Sequence, residues 1–256
     1  MDDEAYPKKN VEMPFLDHLE ELRWRLIKSI AAIVILAIVA FVFSDYLFKI
    51  LWYPLHKAAP DLKIHYFKVT EGFTTRLKLS IVGGAIAAAP IVFYHIWKFV
   101  LPGLFEREVK VVVPIVTFST FFFFTGTIFC YFVLLPIGLK FFYTQAPAGT
   151  EPTLMMSDYL SFILILILSF GIVFQLPVVS YFLGKIGLIS SKFLASGRRY
   201  AVVIIAVLSA VITPPDFISQ LGIGIPLYIL YEISIIVVRL TGASEKRNDA
   251  VDNLAG

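Results

Sequence analysis

Apolar and polar positions are segregated along this chain in long blocks. The first block opens on a stripe: Phe15, Leu19, Leu22 and Leu26 recur at helical spacing. Pro14 suits a first helical position, and Asp17, His18, Glu21 and Arg25 fall off the stripe. The pattern predicts an amphipathic helix lying on a membrane surface within residues 1–25. It leads directly into an uninterrupted apolar run, 26–43. A helix needs about 20 apolar residues to cross a hydrocarbon core of about 30 Å. Six candidates appear, at roughly 26–43, 77–101, 109–139, 159–184, 200–213 and 219–238. The first is too long for a signal-peptide core and ends at no small-residue cleavage site. The prediction is an all-α polytopic membrane protein, with residues 1–242 as one six-helix domain and the polar stretch 243–256 as a disordered tail.

The segments between and within the spans carry their own signals. Residues 44–76 read as a structured, polar first outer loop, with Trp52 and Tyr53 at an interface and Pro54 marking a turn or helix stop. Gly83, Gly84 and the alanines after them predict a close helix crossing, with a kink at Pro90. The third span is long enough to require tilt or protrusion. Gln175 stands just before Pro177 inside the fourth. The last two spans are expected to be short. The fifth stops at Thr213-Pro214-Pro215-Asp216, and the sixth is interrupted by Gly222, Gly224 and Pro226 and contains Glu232.

Composition strengthens the membrane reading. Of 256 residues, 58% are hydrophobic and only 16% charged, with mean hydropathy +0.82, whereas soluble domains run near a quarter charged. The single cysteine, Cys130, cannot form an internal disulfide and reads as a core hydrophobe. Fifteen of the 22 Lys and Arg residues fall on the side that holds both termini and the first cytoplasmic loop, 98–110. The positive-inside rule therefore predicts both termini in the cytoplasm.

Enzyme signatures are missing. There is no H-E-x-x-H metal motif and no G-x-S-x-G nucleophile turn. A secondary transporter of a small solute or ion is the alternative, because such proteins place polar and ionisable groups at mid-membrane. The candidates for it are Gln175 and Glu232, the latter two turns before Arg239 on the same helical face and read as an inward-facing pair with it or as snorkelling near the cytoplasmic interface. The cytoplasmic acids Glu20, Glu21, Glu106 and Glu108 point elsewhere. Acids do little to set topology. Local roles exist for them: Glu21 with Arg25 is an i,i+4 pair, and Glu106 and Glu108 precede a helix start. Taken together they form carboxylates on two separate segments, which suits a ligand carrying more than one guanidinium, each held bidentately. Phe99 nearby supplies an apolar or cation–π wall.

These stretches resemble the TatC family, the large polytopic subunit of the twin-arginine protein translocase. The resemblance is carried by His18-Leu19-Glu20-Glu21-Leu22-Arg23-Trp24-Arg25-Leu26, Ala89-Pro90 with Trp97-Lys98-Phe99, and Pro102-Gly103-Leu104-Phe105-Glu106-Arg107-Glu108. Asp158-Tyr159-Leu160-Ser161-Phe162, Phe170 to Pro177, and Thr213-Pro214-Pro215-Asp216 with Ser219-Gln220 extend it to about residues 13–240. It implies a curved, concave wall of six helices that binds twin-arginine signal peptides of folded cargo at its cytoplasmic face. Glu21 and Glu108 would read the two arginines, with Arg23, Leu26 and Phe99 on the same surface. Pro54 matches a sensitive position of the outer loop, and Asp216 and Gln220 match the turn before the last helix. Single-span partners of the TatB and TatA types would dock at the last two helices and complete a transient passage driven by the proton-motive force. Copies of the chain would associate in the complex, in the cytoplasmic membrane of a prokaryote. No cofactor, metal or nucleic acid is called for. Gln175 stands where many of the family carry Glu, so it can hydrogen-bond but not titrate.

Overall fold

The structure is a computed structural model that describes residues 15–58, 64–65, 67–100, 112–145, 153–212 and 217–255. The fold is all-α. Among the described residues, five stretches are long and apolar enough to cross a membrane: Asp17–Val42, Glu71–Val100, Val112–Thr144, Met156–Lys185 and Gln220–Gly242.

The first helix, α1 (Phe15–Val42), corrects one expectation. Its 28 residues are continuous, so the amphipathic stretch is the first turns of the span and not a separate helix on the surface. No Gly or Pro interrupts it. At 1.5 Å per residue it measures about 42 Å, some two turns more than the hydrocarbon core. Its polar side faces the protein: His18, Glu21 and Arg25 are half-buried and Ser29 is buried, while Leu19, Leu22 and Leu26 are exposed. In lipid the apolar face turns outward.

Helix α3 (Glu71–Val100) lies against α1, and Pro90 sits within it without ending it. The crossing is close. A Cβ on Gly84 would stand 2.4 Å from the Ala37 backbone nitrogen, the approach that small residues permit. The third span is α4 (Val112–Phe129), a π-helical turn (Cys130–Leu134) and α5 (Leu135–Thr144). The wide turn, closed by Leu135 N–H to Cys130 O, precedes Pro136, whose ring fits poorly in a regular helix. Cys130 is fully buried, as a core residue.

The fourth span is two helices. α6 (Met156–Val173) ends at Phe174-Gln175, and α7 (Leu176–Lys185) restarts with Pro177 in its first turn. Proline has no N–H and disfavours helix before it, which an apolar pattern alone does not reveal. α6 holds the centre of the core: Phe170, Ile163, Leu160 and Tyr159 on it pack with Leu51, Leu55, Leu79, Leu135 and Leu227.

A short helix, α8 (Ser191–Ser196), precedes α9 (Arg198–Ile212) and α10 (Phe217–Ala255). The 15 residues of α9 span about 22 Å, short of the hydrocarbon core. α10 is not short. Pro226 lies inside it and its apolar part, Gln220–Gly242, has 23 residues. Gly222 has nothing within 4 Å of where a Cβ would lie, so it is a small residue inside a helix and not a break. The helix continues to Ala255, through the stretch read from sequence as disordered.

Between the first two spans lie the helix α2 (Ser44–Ala58) and a strand β1 (Ile64–His65), paired in parallel with β2 (Leu154–Met155). Pro54 neither turns nor stops α2; it is buried inside it. A proline at 54 removes the N–H that would serve the carbonyl of Ile50, four residues earlier. That carbonyl instead accepts the Tyr131 hydroxyl at 2.7 Å, and the next one, Leu51, accepts Tyr159 at 2.7 Å. Tyr131 comes from the π-helical turn and Tyr159 from α6, so two spans hold α2 at its proline. Glu71 adds a second tie. Its Oε2 accepts Phe67 N at 2.9 Å and its Oε1 accepts Ser157 N at 2.8 Å, joining the start of α3 to the start of α6.

Tyr131→Phe is expected to lower stability by about 1 kcal/mol, the worth of one hydrogen bond. In a Pro54→Ala background, where residue 54 regains its N–H, the same change should cost much less. A double-mutant cycle on thermal unfolding checks this; equal penalties in both backgrounds contradict the assignment.

Candidate functional site

At the end of the bundle where α1 begins and α3 finishes, four side chains converge. Phe99, the penultimate residue of α3, stacks on His18 with ring centroids 4.3 Å apart and planes 13° from parallel. His18 Nδ1 is 3.9 Å from Glu21 Oε2, too far for a hydrogen bond. Glu21 Oε1 accepts Arg25 Nε at 3.1 Å and also Arg25 Nη2. Helical spacing puts residues 18, 21 and 25 on one face of α1, and Gly84 lets that helix lie close to α3. The i,i+4 pair expected between Glu21 and Arg25 is thus present, but on the protein side of the helix.

The pair is poorly satisfied. Among the described residues, Glu21 Oε2 and Arg25 Nη1 are buried and have no hydrogen-bond partner. Thr120 Oγ1 is the third such atom. Arg23 and Leu26 are exposed on other faces of α1 and do not join Phe99. Glu106 and Glu108 lie outside the described residues, as does Asp216. The loop that carries Glu108 leaves α3 at Val100, one residue past Phe99.

The other predicted residues are ties between helices. Gln175, at the break between α6 and α7, donates Nε2 to Ser119 O at 3.0 Å on α4. The Ser119 hydroxyl receives Trp97 Nε1 of α3 at 2.7 Å, and Trp97 meets Phe182 of α7 edge to face at 4.9 Å. Ser119 of α4 thus joins α3 to the break between α6 and α7, and Trp97 carries the contact on to α7. Gln220 Nε2 donates to Ala206 O at 2.9 Å, tying α10 to α9. Glu232 does not pair with Arg239. It takes a two-point grip from Arg198, at 2.6 and 2.9 Å, and a hydrogen bond from Tyr228 at 3.0 Å. Tyr231 donates to Leu194 O at 2.6 Å beside it. The local i,i+7 pairing was the wrong inference, because the α9–α10 hairpin brings a cation 34 residues earlier in the chain to Glu232.

Sequence reasoning passed over Glu71 and Tyr131, and named Tyr159 only within the resemblance stretch Asp158–Phe162, without a role. Glu71 had a signal, an acid in the first turn of a helix; the tyrosines had none, since their acceptors are 81 and 108 residues away. Among the described residues no group of His, Cys, Asp or Glu gathers to hold a metal. A shallow groove lined by Gly138, Phe142, Leu166, Gly222 and Ile223 is wholly apolar.

Comparison with known proteins decides the family. A family model described as Sec-independent protein translocase protein (TatC) matches residues 17–226. The chain belongs to the TatC family. TatC of Desulforapulum autotrophicum is 40% identical over 243 residues, covering 94% of this chain and 90% of that one. TatC of Aquifex aeolicus is 40% identical over 238 residues, covering 91% and 98%. A crystal structure of a twin-arginine translocase receptor, TatC, superposes with a TM-score of 0.81 at 39% identity, covering 88% of this chain and 99% of that chain. This TatC-family chain is a multi-pass membrane protein of the protein-transport machinery. α9, too short to count as a span by length, is its sixth membrane helix. The transporter alternative finds no support: the amide of Gln175 and the carboxylate of Glu232 are both engaged in ties between helices.

Gln175→Leu should lower stability by about 0.5–1.5 kcal/mol through loss of its bond to Ser119, and leave ligand affinity at the α1–α3 end unchanged. Thermal unfolding and peptide titration on the same preparation check both halves.

Proposed function

We propose that this chain is the signal-peptide receptor and assembly core of a twin-arginine translocase, with a binding and not a catalytic role. The reading rests on one observation: Glu21 presents a buried carboxylate oxygen without a hydrogen-bond partner among the described residues, next to the stacked His18 and Phe99. A guanidinium matches such a carboxylate in shape and donor geometry, and an aromatic wall favours its planar cation further. Glu108 supplies the second carboxylate from the loop that begins beside Phe99. Two acids on separate segments read two arginines, and a lysine, a point charge, fits neither as well. The family's solved receptor and translocase relatives support this reading.

The receptor face lies in the cytoplasm, with both termini on that side, in the cytoplasmic membrane of a prokaryote; the distribution of Lys and Arg supports this. Single-span partners of the TatB and TatA types dock along α9 and α10. Val203, Ile204, Val207 and Val211 of α9 are exposed and apolar, as a helix in lipid or against another span requires. The short α9 thins the bilayer locally, which lowers the barrier to a transient passage completed by the partners and driven by the proton-motive force. Several copies of the chain act together in that complex.

The test is binding of a signal peptide to Glu21→Gln and Glu108→Gln variants, with Arg-Arg and Lys-Lys versions compared. Each change should weaken the Arg-Arg peptide by about 10-fold or more, the scale of a lost charge-assisted hydrogen bond, and shrink its advantage over Lys-Lys. Unchanged affinity and preference contradict the reading.

A further inference from the structure

The cluster already contains the chemical group it is read as receiving. Arg25 is one turn past Glu21, and both of its contacts fall on the same oxygen, Oε1. A fully formed guanidinium–carboxylate pair engages two nitrogens with two oxygens. Here Oε2 and Nη1 are left buried and without partners among the described residues, although the Arg25 side chain is only 11% exposed and that of Glu21 29%. Such atoms forgo water without gaining a protein partner, so the arrangement is one that a better ligand displaces. Beside the pair, His18 stacks on Phe99 of α3.

We propose that Arg25 is a resident stand-in for the peptide's arginine, which holds Glu21 in the empty receptor and gives way when a peptide guanidinium grips both Oε1 and Oε2. The proposal rests on the reading of Glu21 as a peptide-binding acid. It makes Arg25 a residue that sets how tightly a cation must bind to occupy Glu21. An incoming cation must outcompete an arginine that is already tethered and therefore present at high effective concentration. A peptide arginine does so because its planar fork uses the oxygen that Arg25 leaves unbound. A lysine offers one point contact and does so less well. When displaced, the long Arg25 side chain carries its charge to the aqueous end of α1.

The experiment uses the full-length protein in lipid nanodiscs, with signal peptides carrying Arg-Arg or Lys-Lys. Arg25→Gln removes the competitor. If the stand-in occupies Glu21 most of the time, apparent affinity for the Arg-Arg peptide rises about 3–10-fold, by the fraction of receptors freed. The Lys-Lys peptide gains by the same factor, because the same occupied fraction is freed for any cation that must displace Arg25. The gain vanishes when Glu21→Gln is added to Arg25→Gln. Equal or weaker binding of both peptides by Arg25→Gln overturns the stand-in and leaves the reading of Glu21 standing. No effect of Glu21→Gln by itself overturns both. A measurement on the unmutated protein does not depend on the variants folding. The 15N resonance of Arg25 Nε should move on saturation with the Arg-Arg peptide; an unmoved resonance overturns the proposal.

Discussion

Inside a bilayer there is no water to complete a hydrogen bond, so every polar group that a helix fails to satisfy must be met by another part of the protein. This constraint organises the chain. Pro54 deprives Ile50 O of its helical donor, and Tyr131 reaches across from another span to replace it. The chain breaks its helix before Pro177, and Gln175 at that break bonds to Ser119 on α4. Glu232 would be a charge within an apolar helix, and Arg198 and Tyr228 meet it. Glu71 takes up backbone N–H groups where α3 begins. At Pro54 and at the Gln175 break, the irregular backbone is accompanied by a bond from an element distant in sequence.

Against that background the N-terminal end of α1 stands apart. Of the three buried side-chain atoms left unpartnered among the described residues, two belong to the Glu21–Arg25 pair. A receptor for a cationic peptide needs such a place: a carboxylate fixed by its helix, walled by rings, and not fully consumed by its own neighbours. On the proposed reading, the Gly84 crossing that brings α1 against α3 and the Trp97–Ser119 bond between α3 and α4 position that place.

Most of the architecture was legible in the sequence because lipid imposes long apolar blocks, and the spans fall close to where hydropathy puts them. What was not legible has physical causes. The polar side of α1 faces inward, because in lipid the apolar stripe of Leu19, Leu22 and Leu26 turns out toward the surroundings. The break before Pro177 hides in an apolar block long enough to read as one span, with only Gln175 and Pro177 marking it. Pro54 reads as a stop only if a donor for Ile50 O cannot come from far away. Glu232 looked like the partner of Arg239 because local spacing is all that a sequence displays. The acids Glu20 and Glu21 were visible as a pattern, and of these Glu21 is brought to Phe99 through His18, while Arg23 and Leu26 are not.

The central claim is that carboxylates from two separate cytoplasmic segments grip one doubly cationic peptide. Its most direct test is site-specific photocrosslinking in the membrane, with the probe placed at position 21 or at position 108 and a twin-arginine precursor as target. The account predicts adducts from both positions to residues at or next to the arginine pair, lost when the pair is changed to Lys-Lys. Adducts from neither position, or adducts to the mature part of the cargo alone, would contradict it.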